Sequence, residues 1–505
     1  SSIWRIGSVD RARGPNICCI VNPTDNLFDQ APSPAAPAMR APAAPLDLSI
    51  PHRLHVVGIG GPGMSAIGIA LAEMGHDVSG SDLREHPVLE RVRAARAAVY
   101  VGHDRAYVRG VDAVTASTAI PAHNIELDEA RKTGVTVLRR AGMLASICAR
   151  AKSLAVAGTH GKTTTTSMLM LILAQARLRP SFIVGGDVTD VGTGAHWSGG
   201  EWLVVEADES DGTHLELPLH GSIITNIEVD HLDHYGTFGA IVDSFDTYLR
   251  QIAGPKILSA DDPVTRRLAG VHDGVTFGLS KDADVRAVDV LATNGSFTFG
   301  VERRQGGDMV RLGEIALPMR GVYNVRNALA ATAMALEIGV GFADIAEALA
   351  KFGGVARRFD VRGVDGGATF VDDYAHLPTE IDSVLTGARD SGDGWDRIIA
   401  VFQPNRFNRI SEIWRDYADA FGQADLVVLT DIYASGTTPI PGITGKLIVN
   451  AVTEANPGKR VVWLPNRSDL VGYVAREARS GDVVISMGCG DIASFPSEVL
   501  DVRRS

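Results

Sequence analysis

Short apolar runs recur along this chain, each giving way to small or polar residues and then to a stretch of helical spacing. In the first third, His55-Val56-Val57, His76 to Ser79, Ala113 to Ala116 and Thr136 to Leu138 read as strands. Ala66 to Met74, Val88 to Ala98 and Ile125 to Thr133 read as the helices between them. Apolar runs without polar alternation belong to strands buried on both faces, and their alternation with helices predicts parallel sheets. The pattern returns at Ser153 to Ala157, Trp202 to Val205 and Ser222 to Thr225, with a helix over Ser167 to Ala174. It returns again at Thr369 to Val371, Ile398 to Phe402, Leu426 to Thr430, Arg460 to Leu464 and Val483 to Met487. Asp284 to Val301 departs from it: polar and apolar residues alternate around Thr293-Asn294-Gly295, a hairpin signal. That predicts an antiparallel insertion ahead of a helix over Asn327 to Ile338.

The expected fold class is therefore α/β in three domains. A Rossmann-like domain spans 52–149, and a central P-loop ATPase-like α/β domain with an antiparallel insertion spans 150–355. A second Rossmann-like domain spans 356–505. Residues 1–51 differ in kind. Ala31 to Pro45 is rich in Ala and Pro, cannot bury enough apolar surface to order itself, and predicts a disordered tail. Its apolar stretches are too short for a secretory signal.

At 505 residues the length suits about three domains. A net charge of -12 argues against a nucleic-acid-binding surface. No apolar stretch reaches the ~20 residues that a membrane span needs. Four cysteines (Cys18, Cys19, Cys148 and Cys489) make no disulfide framework, which fits a reducing cytoplasm.

Two glycine-rich turns carry the chemistry. The first is Gly58-Ile-Gly60-Gly61-Pro-Gly63-Met64-Ser65, a G-x-G-x-x-G turn between a strand and a helix, with Asp82 24 residues after Gly58. That layout binds a pyrophosphate at a helix N-terminus and a ribose at the acid, without specifying which nucleotide. The second is Gly158-Thr159-His160-Gly161-Lys162-Thr163-Thr164, a phosphate loop with Val156 where the usual spacing has a glycine. Its backbone N–H groups suit phosphate oxygens, Lys162 the β- and γ-phosphates, and the Thr163 hydroxyl a Mg²⁺ ion. Glu206 and His231 follow later strands of this block, where ligands of open α/β sheets bind, so Thr163, Glu206 and His231 are expected to converge on one metal–nucleotide site. In the third block, Arg406 and Arg409 stand three apart, a spacing that suits bidentate capture of a carboxylate or phosphate.

With Glu206-Ala-Asp-Glu-Ser-Asp211, Thr225-Asn-Ile-Glu-Val-Asp-His231, Asn324-Val-Arg-Asn-Ala-Leu-Ala330, Arg357-Arg-Phe-Asp360, Asp372-Asp-Tyr-Ala-His376 and Phe402-Gln-Pro-Asn-Arg406, the chain resembles the Mur ligases. The resemblance covers roughly residues 52 to 495 and is nearest to the members that add L-alanine to UDP-N-acetylmuramate. It implies an ATP- and Mg²⁺-dependent ligase of peptidoglycan precursor synthesis, with Mn²⁺ as the alternative metal, acting as a monomer or dimer. Gly58, Gly60, Gly61, Gly63, Met64, Ser65, Asp82 and Ser117 would then hold the UDP-sugar. Gly158 to Thr164 would hold the ATP phosphates, Asn324 or Asn327 the adenine, and Arg358 and Asp373 the ribose. Tyr374, His376, Arg406 and Arg409 would face the amino acid. Lys162, His231 and His376 would be catalytic, either histidine being a candidate to take the proton of the amine.

Tyr323, Asn405 and Leu377 stand where the family pattern more often has His. Tyr323 bears on stacking against the adenine, and Asn405 and Leu377 bear on the amino acid more than on the reaction. Two rival readings remain open at this stage. One is a recycling ligase that attaches a preformed peptide to the same nucleotide sugar. The other is a nucleotide-dependent switch without ligase chemistry.

Overall fold

The computed structural model describes residues 45–505, so most of the expected tail, with Cys18 and Cys19, lies outside the described residues. Three sheets follow one another along the chain. The first is wholly parallel, in the order Ala98–Val101, Asp77–Asp82, Arg53–Val57, Ala113–Ala116, Thr136–Arg139. Chain direction across the sheet reverses between Arg53–Val57 and Ala113–Ala116, and the crevice beyond their carboxyl ends is where such sheets bind ligands.

Two elements here escaped the periodicity. The expected helix Val88 to Ala98 is Pro87–Ala94, followed by the strand Ala98–Val101. Arg96, at a left-handed φ of 71°, breaks the run between them. The helix Arg140–Cys148 has seven of its nine residues buried, so it lacks the polar face that marks a helix in sequence.

The central sheet has ten strands. Lys152–Ala157 lies between Trp202–Glu206 and Gly221–Ile224, and both pairings are parallel. Lys256–Ser259 and Val275–Gly278 extend the sheet on the Gly221–Ile224 side, and Ser181–Val188 on the other. The expected hairpin is present as Val285–Thr293 against Ser296–Gln305, with Asp308–Leu317 added as a third antiparallel strand. Under this sheet the helices Lys162–Gln175 and Val322–Glu337 share a core that includes Met168, Leu169, Leu173, Leu329 and Met334.

The third sheet runs Asp360–Asp365, Ala368–Asp373, Asp482–Met487, Arg397–Phe402, Leu426–Leu429, Arg460–Trp463. Only its first pairing is antiparallel. Among the described residues no helix is long and apolar enough to cross a membrane.

Candidate active site

The phosphate loop leaves the central strand of the middle sheet. Val156, where the common spacing has glycine, is fully buried in that strand opposite Glu206 and Ile223. The turn begins only at Gly158, so no glycine is needed earlier. Gly158 has φ +117°, and a Cβ there would run into Thr225 Oγ1 and come within 2.8 Å of the Asn226 carbonyl. The loop is tied down by its neighbour: Thr159 N donates to Asn226 O at 3.0 Å, and His160 N to Asn226 Oδ1 at 2.9 Å. At the far end, Gly161 has φ +83° and caps the helix that starts with Lys162.

Lys162 Nζ donates to the carbonyls of Gly158 (2.6 Å) and Thr159 (3.3 Å) and to Glu209 Oε1 (2.8 Å). Burial disfavours its charge, but Glu209 and Asp208 outweigh that and raise its pKa. Glu209 Oε2 is buried with no partner. Burial likewise pushes Glu206 up, against the Gly185 N–H and the Thr163 hydroxyl that hydrogen-bond to it. Thr163 and Glu206 thus meet as expected. His231 has Asp230 beside it, Oδ2 lying 3.2 Å from its Nε2, and Arg409 of the third sheet's domain binds the same carboxylate at 3.2 Å. Lys162 and Asp208 are close enough to act on the charge of His231. Among the described residues no three His, Cys, Asp or Glu side chains gather as a ready metal cage. What is present is a hydroxyl, a carboxylate and an orphaned buried carboxylate oxygen beside the loop. This all-oxygen set fits Mg²⁺ held partly by triphosphate and water.

Beside the loop is a cavity of about 330 Å³ between the middle and third domains. His160, Gly161, Thr164, Asn324, Asn327, Arg358 and Asp373, all expected around ATP, line it. Asn327 Nδ2 donates to Asn324 Oδ1 at 3.0 Å, and a Cβ on Gly161 would collide with Asn327 Oδ1, so helix and loop are in close contact. Tyr323 also lines the cavity, offering an aromatic face in place of the imidazole common in the family. Asp373 accepts from Phe359 N and Ala375 N, each at 2.7 Å, and burial raises its pKa to about 6 despite the nearby Arg358. Both its oxygens therefore hold backbone in place.

Arg406 and Arg409 border a cavity of about 30 Å³ together with Asp230, His231 and Asn408. Asn405, noted above as a departure from the family pattern, accepts from Arg409 Nη1 at 3.1 Å and so holds that guanidinium. His376 and Tyr374 stack edge to face with ring centres 5.6 Å apart. Burial, helped by Arg409 and opposed by Glu380, pushes His376 down to about 4, so its ring is neutral near pH 7.

In the first domain, Gly60 N donates to Asp82 Oδ2 at 2.8 Å, and Gly58 N to Ser81 O at 2.8 Å. A Cβ on Gly58 would lie 3.2 Å from Ser117 Cβ, so the glycine turn, Asp82 and Ser117 are neighbours. Met64 does not join them: it is buried in the domain core. Ser65 is buried too, and its N–H donates to Gly61 O as the helix begins.

Sequence reasoning missed Arg140, Glu228 and Glu380 as site residues, and with them the contacts that join the domains. Arg140 Nη2, in the first domain, donates to Asp208 Oδ2 (3.0 Å) and Asp211 Oδ2 (2.9 Å) of the second. Its Nη1 lies 3.5 Å from where a Gly63 Cβ would be, which ties the glycine turn to the acids around Lys162. His160 Nδ1 donates to Glu380 Oε1 of the third domain (3.0 Å), and its Nε2 to Glu228 Oε2 (3.2 Å). Each is a single charge of ordinary spacing in the sequence, and only tertiary proximity reveals its partner.

Three family models match successive parts of the chain. They are the Mur ligase family catalytic domain over residues 53–152, the Mur ligase middle domain over 156–335 and the Mur ligase glutamate ligase domain over 357–490. A UDP-N-acetylmuramate–L-alanine ligase of Bradyrhizobium sp. is 42% identical over 449 residues, 88% of this chain and 96% of that protein. One from Acidothermus cellulolyticus is 42% identical over 468 residues, 91% and 97% of the two. The crystal structure of a UDP-N-acetylmuramate-alanine ligase from Thermotoga maritima superposes with a TM-score of 0.76 at 29% identity, covering 90% of this chain and 99% of that one. A murein peptide ligase from Psychrobacter arcticus superposes at 0.65 and 25%, covering 90% and 98%. With all three domains matched and relatives aligned over nearly their whole length, the chain belongs to the Mur ligase family.

Proposed function

We propose that the protein joins L-alanine to the lactoyl carboxylate of UDP-N-acetylmuramate at the expense of ATP, releasing ADP and phosphate. The observation that carries this reading is the juxtaposition of Lys162 and the Thr163–Glu206 pair with a nucleoside-sized cavity on one side and the small arginine-lined cavity on the other. The relatives named above are alanine-adding ligases, which supports the choice of substrates.

When bound, ATP with its Mg²⁺ supplies the phosphoryl group that turns the carboxylate into an acyl phosphate, a good leaving group. Thr163 and Glu206 are the residues suited to hold the metal. Lys162 Nζ offsets the repulsion between an approaching carboxylate and phosphate oxygens, a task for a preorganised cation. Arg406 and Arg409 suit the amino acid's carboxylate. The amine must lose a proton to attack, and Nε2 of the neutral His376 ring can take it. His231 is less suited, since Asp230 already engages its Nε2. Closure of the domains over the site would exclude water, which competes for the acyl phosphate. The glycine turn, Asp82 and Ser117 would take the UDP. Consumption of ATP and a nucleotide sugar suits a cytoplasmic enzyme.

The alanine-adding relatives are 42% identical over nearly their whole length, against 25% for the murein peptide ligase, which favours L-alanine over a preformed peptide. Phosphate release is the test, with ATP, Mg²⁺, UDP-N-acetylmuramate and each amino acid in turn. Release with L-alanine supports the proposal, and release only with a tripeptide overturns it.

A further inference from the structure

One carboxylate contacts both His160 of the phosphate loop and His376, the candidate amine base. Glu380 opens the helix Pro378–Arg389 of the third domain and is largely buried, with a side-chain exposure of 13%. Its Oε1 accepts from His160 Nδ1 at 3.0 Å, across the domain boundary. Its Oε2 accepts from the backbone N–H of His376 (2.8 Å) and Leu377 (3.1 Å) and lies 3.2 Å from His376 Nδ1. Tyr374 O lies 3.1 Å from the same Nδ1. The Nδ1 proton is therefore directed at Tyr374 O and Glu380, which leaves the Nε2 lone pair of His376 for the substrate amine. On the other side, His160 Nε2 meets Glu228 Oε2 at 3.2 Å, and Thr379 Oγ1 donates to that oxygen at 3.0 Å.

We propose that Glu380 is a positioning residue that couples nucleotide occupancy of the phosphate loop to the amine base, holding His160 through one oxygen and orienting His376 through the other. This deepens the function proposed above and rests on it. The loop cannot rearrange around a triphosphate without moving His160, and His160 cannot move without pulling on the carboxylate that sets the His376 ring. The amine base is thus aligned when the loop is, so activation of the carboxylate and attack by the amine occur in one assembled site. Two charge states fit this arrangement. Burial opposes protonation of His160, but Glu380 and Glu228 prevail and raise it to about 10. Three attractive or hydrogen-bonding partners keep Glu380 ionised despite its burial.

The test is a double-mutant cycle on His160→Asn and Glu380→Gln, reading the KM for L-alanine and the KM for ATP. Affinity for UDP-N-acetylmuramate, which uses the first domain, serves as the folding control. The expected result is that each single variant raises the KM for L-alanine about tenfold and that the double variant is no worse than either. His160 does not line the small arginine-lined cavity, so its effect on the KM for L-alanine reports the coupling. A His160→Asn change confined to the KM for ATP, or effects that multiply in the double variant, would overturn the proposal. If a variant fails the folding control, ring ¹⁵N NMR of the wild type decides. A non-hydrolysable ATP analogue should shift the His376 signals, assigned with His376→Gln, and unshifted signals contradict the coupling. Failure of the wild type to turn over L-alanine would count against the function itself, a separate outcome.

Discussion

Lys162 sits in a cage of oxygens: two loop carbonyls and Glu209 hold its ammonium where phosphate must come. The charge is fixed before any substrate arrives, which is what electrostatic stabilisation of a transition state needs. Lys162→Ala is expected to lower kcat about a thousandfold while UDP-N-acetylmuramate affinity stays within about twofold, because the sugar uses another domain. Steady-state kinetics alongside calorimetric binding of the UDP-sugar check both halves. Gly158 is constrained differently, by φ +117° and by the backbone of Asn226. Gly158→Ala should destabilise the protein by about 1–3 kcal/mol, read as a lowered thermal midpoint. An unchanged midpoint would mean that the loop is softer than its contacts imply.

At the scale of elements, the strands and their order of chemistry are legible in the sequence because parallel strands buried on both faces are uninterrupted apolar runs. Trp202–Glu206 and Gly221–Ile224 show it: their polar ends flank the phosphate loop on either side. Arg140–Cys148 was not legible, since a helix buried all round has no periodic face. Likewise, Thr163 and Glu206 lie in motifs at the ends of paired strands and meet, whereas His231 caps the short helix Leu232–Tyr235 with Asp230 beside its ring. Local pattern could place His231 near the site but could not choose its partner. Arg140 at the start of that buried helix is largely shielded, and it balances Asp208 and Asp211. Arg140→Met should cost about 3 kcal/mol of stability, and Asp208→Asn in the same chain should restore part of it. Denaturant unfolding of the two variants compares them, and an equal loss in both would contradict the pairing.

Across the whole molecule, charges bridge the domains: Arg140 to Asp208 and Asp211, Arg409 to Asp230, and His160 to Glu380. The last of these sets a pH dependence. Folding raises His160 from an ordinary imidazole value near 6.5 to about 10. Its stabilisation is therefore present in full below about pH 6.5 and lost progressively as pH rises toward about 10. Docking of the third domain, followed by small-angle scattering or by fluorescence transfer between domains, should loosen on the alkaline side. The His160→Asn variant should lack that alkaline transition. Loosening on mild acidification from pH 8 to 6.5 would contradict this assignment.

The central claim is that the loop activates a carboxylate delivered from the first domain, and isotope transfer tests it most directly. UDP-N-acetylmuramate labelled with oxygen-18 in its lactoyl carboxylate is turned over with ATP, Mg²⁺ and L-alanine, and the released phosphate is analysed by mass spectrometry. The account predicts phosphate carrying an oxygen-18 atom taken from the carboxylate. Unlabelled phosphate, released while the amide forms, would contradict it.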